Sequence, residues 1–129
     1  MTRHKDTEQP EIEAILEGLD KLPEGVGRLS LLTKLLLDDR HDRHEDVVFE
    51  LGLLGDASAV PAIAKAVTIP FPSLLQWGNL TEFRRKCAYA LARIGTAEAR
   101  SVLEQMSRSL EPDLKESGEE GMKKWPLKY

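Results

Sequence analysis

The sequence is poor in cysteine and in aromatic residues, and each shortage excludes a class of protein. Cys87 is the one cysteine among 129 residues, so the chain can form no internal disulfide. A disulfide-stapled secreted domain is therefore excluded, and we expect a cytoplasmic protein. Aromatic residues make up 5% of the chain and charged residues 31%. That balance suits amphipathic helices better than strands.

Long apolar runs are also missing. No stretch approaches the ~20 apolar residues that a membrane-spanning helix needs. The first residues are polar and run into glutamate-rich sequence without the apolar segment of a signal peptide. We therefore expect no membrane association and no leader peptide. With 41% hydrophobic residues, the 129 residues suffice for a single domain, 1–129, with its own core.

The net charge of −4 is unevenly distributed along the chain. Residues 1–60 hold 14 acidic and 7 basic side chains, whereas residues 81–110 hold 3 acidic and 6 basic ones. An acidic first half repels phosphate, so we do not expect nucleic acid as a partner. A basic protein surface would instead be attracted.

Apolar residues recur at helical spacing from Ile12 onward, which predicts about seven helices. The predicted segments are an N-terminal helical hairpin (10–38, with its first helix over 10–20), a first repeat (42–67), a second repeat (81–110) and a C-terminal capping helix (112–125). Asp42, followed by Glu45, resembles a capping box at the start of the third helix. Thr81 is expected to cap the fifth helix.

The two middle hairpins repeat one pattern at an offset of 40 residues. Gly55 aligns with Gly95 in the turn between the paired helices, and Leu51 aligns with Leu91 before that turn. A helix, a glycine-centred turn and a second helix at this period are typical of repeats that stack to bury their apolar faces. We therefore predict an all-α fold, a short α-solenoid of helical hairpins in two layers.

Two segments resemble HEAT repeats of the phycobilisome-lyase type. They read Leu-Gly-Leu-Leu-Gly-Asp-Ala-Ser-Ala-Val-Pro-Ala-Ile (51–63) and Arg-Arg-Lys-Cys-Ala-Tyr-Ala-Leu-Ala-Arg-Ile-Gly-Thr-Ala-Glu-Ala-Arg (84–100). The family unit has an entering Arg, a Leu/Ile-Gly-Asp turn and then Ala-Val-Pro. The first copy lacks the Arg, and the second has Thr96 for Asp and Arg100-Ser101 for Val-Pro. The resemblance implies a solenoid, and that fold serves scaffolds, lyases, glycosylases and inhibitors alike.

The connection from Thr68 to Leu80 is longer than the family's compact unit requires. Either Pro72 to Trp77 forms a short helical turn that folds back over the core, or the segment presents an aromatic anchor to a partner; both can hold together. The residues predicted to bind a partner lie in this connection and on the second helix of the second repeat: Phe71, Leu75, Trp77, Ser101, Glu104, Gln105 and Arg108.

Few residues are candidates for catalysis or metal binding. His41 and His44 are weak zinc candidates, because a zinc site needs three or four ligands and the sequence holds no second His/Cys cluster; a solvated charged corner is the favoured interpretation. Cys87 aligns with core positions, and the carboxylate pairs Glu13/Glu17 and Glu119/Glu120 fall on predicted solvent faces. We predict no catalytic residue, no metal, no cofactor and no enzyme activity.

A group of basic residues offers the best argument for nucleic acid or an acidic partner, although helix solvation explains it equally well: Arg84, Arg85, Lys86, Arg93, Arg100 and Arg108. The leading hypothesis is a non-catalytic protein-binding module. Small acidic HEAT-like chains resemble bacterial immunity proteins, which would make a basic toxin domain the partner. The alternatives are a bilin lyase-like enzyme or subunit and a general assembly scaffold.

Overall fold

The structure is a computed structural model that describes residues 27–127, and within this range it is helical and contains no strand. Its elements are α1 (Arg28–Leu36), α2 (His44–Leu54), a 3₁₀ turn (Ala57–Ala59), α3 (Val60–Ala66), α4 (Pro72–Trp77), α5 (Leu80–Ile94), α6 (Ala97–Ser107) and α7 (Pro112–Lys124). The helix predicted over 10–20 lies outside the described residues. Six other predicted helices are present, and α4 is the short helical turn left open as an alternative.

The helices stack in two layers. Helices α2, α5 and α7 lie side by side in the first layer, and α1, α3 and α6 form the second layer against it. The core between the layers consists of side chains that the helical periodicity placed inward, among them Leu51, Ile63, Leu91 and Leu103. The predicted all-α, two-layered helical repeat fold is thereby confirmed. None of the helices in the described range is long and apolar enough to cross a membrane.

The turn inside each repeat is built as its sequence predicts. Gly55 ends α2 with φ 67° and Gly95 ends α5 with φ 73°, a left-handed conformation that glycine adopts without a steric penalty. The next residue then caps the following helix: the Asp56 carboxylate accepts from the Ser58 amide at 2.9 Å. The equivalent Thr96 hydroxyl accepts from the Ala99 amide at 3.1 Å.

Two other predicted caps are wrong. Helix α2 begins after Arg43 rather than Asp42, and the Arg43 amide donates to Nδ1 of His41 at 3.0 Å, so an imidazole shapes this turn. Helix α5 begins after Asn79. The Thr81 hydroxyl lies inside that helix and bonds instead to Asp113 at 3.3 Å.

Helix α7 closes the C-terminal end of the stack against both α5 and α6. Its predicted stripe faces inward, with Leu114, Gly118 and Gly121 buried and Met122 and Trp125 packed against the core. The Trp125 indole donates to the backbone oxygen of Thr96 at 3.1 Å. This contact ties the end of α7 to the turn between α5 and α6.

Candidate functional site

Exposed apolar side chains concentrate on one edge of the described molecule. We call this the inter-hairpin edge; it consists of the connections from a second-layer helix to the next first-layer helix, residues 37–43, 68–79 and 108–111. Of the large apolar side chains exposed within residues 27–127, four lie there: Leu37, Leu75, Trp77 and Leu110. The other two, Phe49 and Leu53, lie on the outer face of α2.

Hydrogen bonds join the three connections of this edge to one another. The Ser73 hydroxyl donates to the backbone oxygen of His41 at 3.3 Å, which links the first connection to the second. Arg84 links the end of α3, next to the second connection, to the third: its Nε donates to the backbone oxygen of Val67 at 3.1 Å, and its Nη1 donates to Glu111 at 2.8 Å and Asp113 at 3.0 Å. Hydrogen bonds therefore fix the three connections of the edge relative to one another.

Helix α4 divides its apolar residues between the core and solvent. Pro72 occupies the first helical position, where its missing amide costs no hydrogen bond, and Gly78 ends the helix at φ 69°. Leu74 is buried, whereas Leu75 is 56% exposed and Trp77 68% exposed. The segment thus folds back over the core and also presents an aromatic side chain outward.

The assignment of Phe71 to the partner-binding surface is wrong. Phe71 is 1% exposed and lies in a cluster of rings with His44 and Phe83. It is the residue that enters α4, and the extended backbone there turns its ring toward the core. Leu75 and Trp77, further along the helix, remain the candidates from this segment.

The residues predicted on the second helix of the repeat lie on one face of α6. Ser101, Gln105 and Arg108 are exposed. Glu104 is half-buried and pairs with Arg100 at 3.4 Å. Only Arg108 reaches the inter-hairpin edge; Ser101 lies about 10 Å further back at 1.5 Å per residue. The predicted surface therefore extends from the edge onto the outer face of the second layer.

His41 and His44 are buried, so the interpretation as a solvated corner is wrong. Their rings stack with centroids 4.2 Å apart. Nε2 of His41 lies 2.6 Å from the backbone oxygen of Leu35, and Nε2 of His44 lies 2.7 Å from that of Asp38. The Arg43 amide donates to Nδ1 of His41, so both ring nitrogens of His41 are engaged, whereas His44 is engaged at Nε2 alone. Within residues 27–127, no three His, Cys, Asp or Glu side chains come together as possible ligands.

The basic residues of α5 and α6 are largely paired with carboxylates. Arg84 is buried at 4% exposure and bonded to two acids. Lys86 pairs with Glu45 at 2.9 Å, and Arg85 pairs with Glu120 at 3.2 Å. These pairs reduce the positive potential that phosphate binding would require.

Of the carboxylate pair Glu119/Glu120, Glu120 is engaged in hydrogen bonds. Glu120 accepts hydrogen bonds from the Tyr89 hydroxyl and from Arg85, and these lower its pKa. A general acid needs a shift in the opposite direction. Glu119 is exposed. The Glu13/Glu17 pair lies outside the described residues.

Cys87 is a core residue, and we predict that its thiol reacts slowly in the native protein. It is fully buried, and this burial raises its pKa. Reaction with a disulfide reagent needs an accessible thiolate, so native labelling should be on the order of 100-fold slower than labelling in urea. Absorbance of the released thiolate measures both rates. Equal rates in buffer and in urea would contradict the buried position.

Sequence reasoning missed Leu37, Leu110, Phe49 and Leu53 as surface residues. Leu110 is 99% exposed and stands between Ser109 and the Glu111-Pro112 helix start, outside any helical period. Its exposure could therefore have been predicted from that position in the sequence. Phe49 and Leu53 offered a weaker one: they align across the 40-residue offset with the polar residues Tyr89 and Arg93.

Residues 83–109 match the family model of the PBS lyase HEAT-like repeat, about a fifth of the chain. The match runs through most of α5 and all of α6, and it confirms the resemblance for the second repeat. Comparison with curated proteins gave no significant match, and neither did comparison with solved structures. HEAT-like repeats commonly mediate protein interactions, but the repeat type alone does not identify a function.

Proposed function

We propose that the chain is a non-catalytic protein-binding module that uses the inter-hairpin edge, with Trp77 as its anchor. The observation that carries the proposal is the position of Trp77: it is 68% exposed, yet it sits on a short helix whose other face is fixed in the core. A helix held in place presents its aromatic side chain with little loss of backbone entropy on binding, and Trp is enriched at binding hot spots.

The surroundings of Trp77 favour a partner with an apolar pocket and basic groups. Leu75 lies on the same helix, and Leu37 and Leu110 lie on the flanking connections. The exposed charged residues in or beside this edge are mostly acidic, with Asp39, Asp42, Glu82 and Glu111 against Arg43 and Arg108. Such carboxylates steer a basic surface toward the apolar residues.

More specifically, we propose that the chain is an immunity protein that inhibits a basic toxin domain in a bacterial cytoplasm. This proposal is supported by the net charge of −4 and by the resemblance to small HEAT-like inhibitors. An assembly scaffold would use the same surface. A bilin lyase-like activity gains no support from the described residues, since Cys87 is buried and the pKa of Glu120 is lowered.

Trp77→Ala is expected to weaken partner binding by about 2 kcal/mol, or ~30-fold in Kd, as hot-spot truncations do. Because the side chain is mostly exposed, the urea midpoint should stay close to that of the wild type. The partner is first isolated by quantitative affinity purification with the wild-type chain. Its affinity for each variant is then measured by calorimetry, and stability by urea unfolding.

Leu75 and Leu53 provide a matched control pair, because both are leucines with 56% exposure. Leu75 lies on the edge, and Leu53 lies on the outer face of α2. Leu75→Ala should weaken binding and Leu53→Ala should not, whereas their effects on stability should be similar. The proposal would be contradicted by unchanged affinity of a folded Trp77→Ala variant, or by equal losses of affinity in Leu75→Ala and Leu53→Ala.

A further inference from the structure

Four rings pack together where the chain enters helix α4. We call them the aromatic latch: His41, His44, Phe71 and Phe83. The His44 ring lies between two others, 4.2 Å from the His41 centroid and 3.9 Å from the Phe71 centroid. Phe83 meets both His44 and Phe71 edge-on, at 6.1 and 5.9 Å. The latch joins the connection before α2, the first turn of α2, the entry to α4 and the first turns of α5.

The latch holds the N-terminal end of α4 against the rest of the protein. Phe71 enters the helix, and its backbone oxygen accepts from the amides of Leu74 at 3.0 Å and Leu75 at 3.1 Å. The Ser73 hydroxyl adds a bond to the backbone of His41 at 3.3 Å. Beyond Leu74 the helix faces solvent. The position of Trp77 therefore depends on the stack between Phe71 and His44 together with the buried side chain of Leu74.

His44 occupies this stack as a neutral imidazole. Its Nε2 is 2.7 Å from the backbone oxygen of Asp38, which can only accept, so the proton resides on Nε2. Its Nδ1 is buried and has no hydrogen-bond partner among the described residues. A proton added at Nδ1 would thus bring a charge and an unpaired donor into a cluster of rings.

The groups around His44 mostly oppose its protonation. Burial has the largest effect and lowers the pKa of His44 to about 4, and the nearby His41 acts in the same direction. Asp38 and Asp39, on the connection before α2, act in the opposite direction but more weakly. Helices α4 and α5 present the uncharged rings of Phe71 and Phe83. The charged residues next to these rings in sequence are paired. Glu45, which follows His44, pairs with Lys86. Arg84, which follows Phe83, pairs with Glu111.

We propose that the aromatic latch is an acid-sensitive switch: protonation of His44 at Nδ1 separates it from Phe71 and releases α4, which removes Trp77 from its fixed position. Only the consequence for binding rests on the proposed function. The opening of α4 itself is a property of the fold. Partner binding at the inter-hairpin edge would accordingly weaken as the pH falls, while the repeat stack persists.

The direction follows from proton linkage. The folded-state pKa of His44 lies below the ordinary value of 6.5, so the closed latch is fully stable above pH 6.5 and loses stability as the pH falls toward about 4. If His44 in the open form has its ordinary pKa, the opening constant rises about 20-fold between pH 7 and pH 5.

Amide hydrogen exchange of the whole chain tests this switch without any partner. The reporters are amides whose bonds close α4, those of Leu74, Leu75 and Asn79, and the reference is the amides of α6. After correction for the intrinsic pH dependence of exchange, α4 protection should fall about 20-fold from pH 7 to pH 5. Protection of α6 should change far less. An NMR titration of the His44 ring should have its midpoint near pH 4, below the ordinary value of 6.5.

His44→Gln keeps a neutral polar side chain that cannot take up a proton in this range. Even if it loosens α4 at every pH, its α4 protection should no longer depend on pH. An equal fall in wild type and His44→Gln would overturn the switch, as would unchanged α4 protection in the wild type at pH 5. If the latch opens as expected but Trp77→Ala binds like wild type, the switch stands and the binding role of Trp77 fails.

Discussion

Replacing Arg84 by methionine is expected to destabilise the fold by about 3 kcal/mol, because the Val67 oxygen and the partly buried Asp113 carboxylate are left without their donor. Arg84 is 4% exposed and bonds the oxygen of Val67 together with Glu111 and Asp113. Methionine can replace the packing of the aliphatic stem but none of these bonds. The loss falls at the lower end of the range for broken buried pairs, because Glu111 is largely exposed and its carboxylate can hydrate.

Arg85 is the matched control for this substitution. It is the next residue on α5, its side chain is half exposed, and its partner Glu120 is also accessible. Arg85→Met should leave the urea midpoint nearly unchanged, since exposed ion pairs are screened by water and salt. Urea unfolding followed by circular dichroism measures both variants. Similar midpoints for the two methionine variants would show that Arg84 does not hold the connections together.

The helices and the repeat could be predicted from the sequence because both depend on local periodicity. Leu51 and Leu91, or Gly55 and Gly95, occupy equivalent positions since each repeat must bury the same face against its neighbours. Glycine in the left-handed turn and the cap at Thr96 are likewise local. Such features can be identified without knowing which distant residues meet.

The candidate site depended on contacts between distant residues, and there the predictions failed in part. Phe71 and Trp77 are both aromatic residues in one connection, but Phe71 is buried because it packs against His44 of α2 and Phe83 of α5, which are distant in sequence from Trp77 or belong to another helix. The basic residues of α5 could not be predicted to be paired, because Arg84 and Lys86 meet acids 27 and 41 residues away. Local patterns contain no information on such partners.

The packing of α7 leads to the second large effect: Gly118→Ala is expected to destabilise the protein by about 3 kcal/mol, at the upper end of the range for added methyl groups. A Cβ at Gly118 would lie 2.5 Å from the backbone nitrogen of Ser107, 2.7 Å from Cβ of Met106 and 2.8 Å from the backbone oxygen of Leu103. Two of these atoms belong to the backbone of α6 and the third is fixed to it, so the helices would have to separate. Helix propensity alone predicts the opposite, a gain of about 1 kcal/mol.

Gly121→Ala and Glu119→Ala separate the two effects. A Cβ at Gly121 meets the end of the Leu103 side chain at 2.5 Å, with Ala88 no nearer than 3.1 Å, so rotation of Leu103 can relieve part of the overlap and the loss should be smaller. Glu119 is exposed on the same helix, and its replacement should have little effect. Urea midpoints are therefore expected to fall in the order Glu119→Ala, Gly121→Ala, Gly118→Ala. A stabilised Gly118→Ala would mean that α7 lies further from α6 than the structure places it, and that the C-terminal cap is held by side chains rather than by backbone contact.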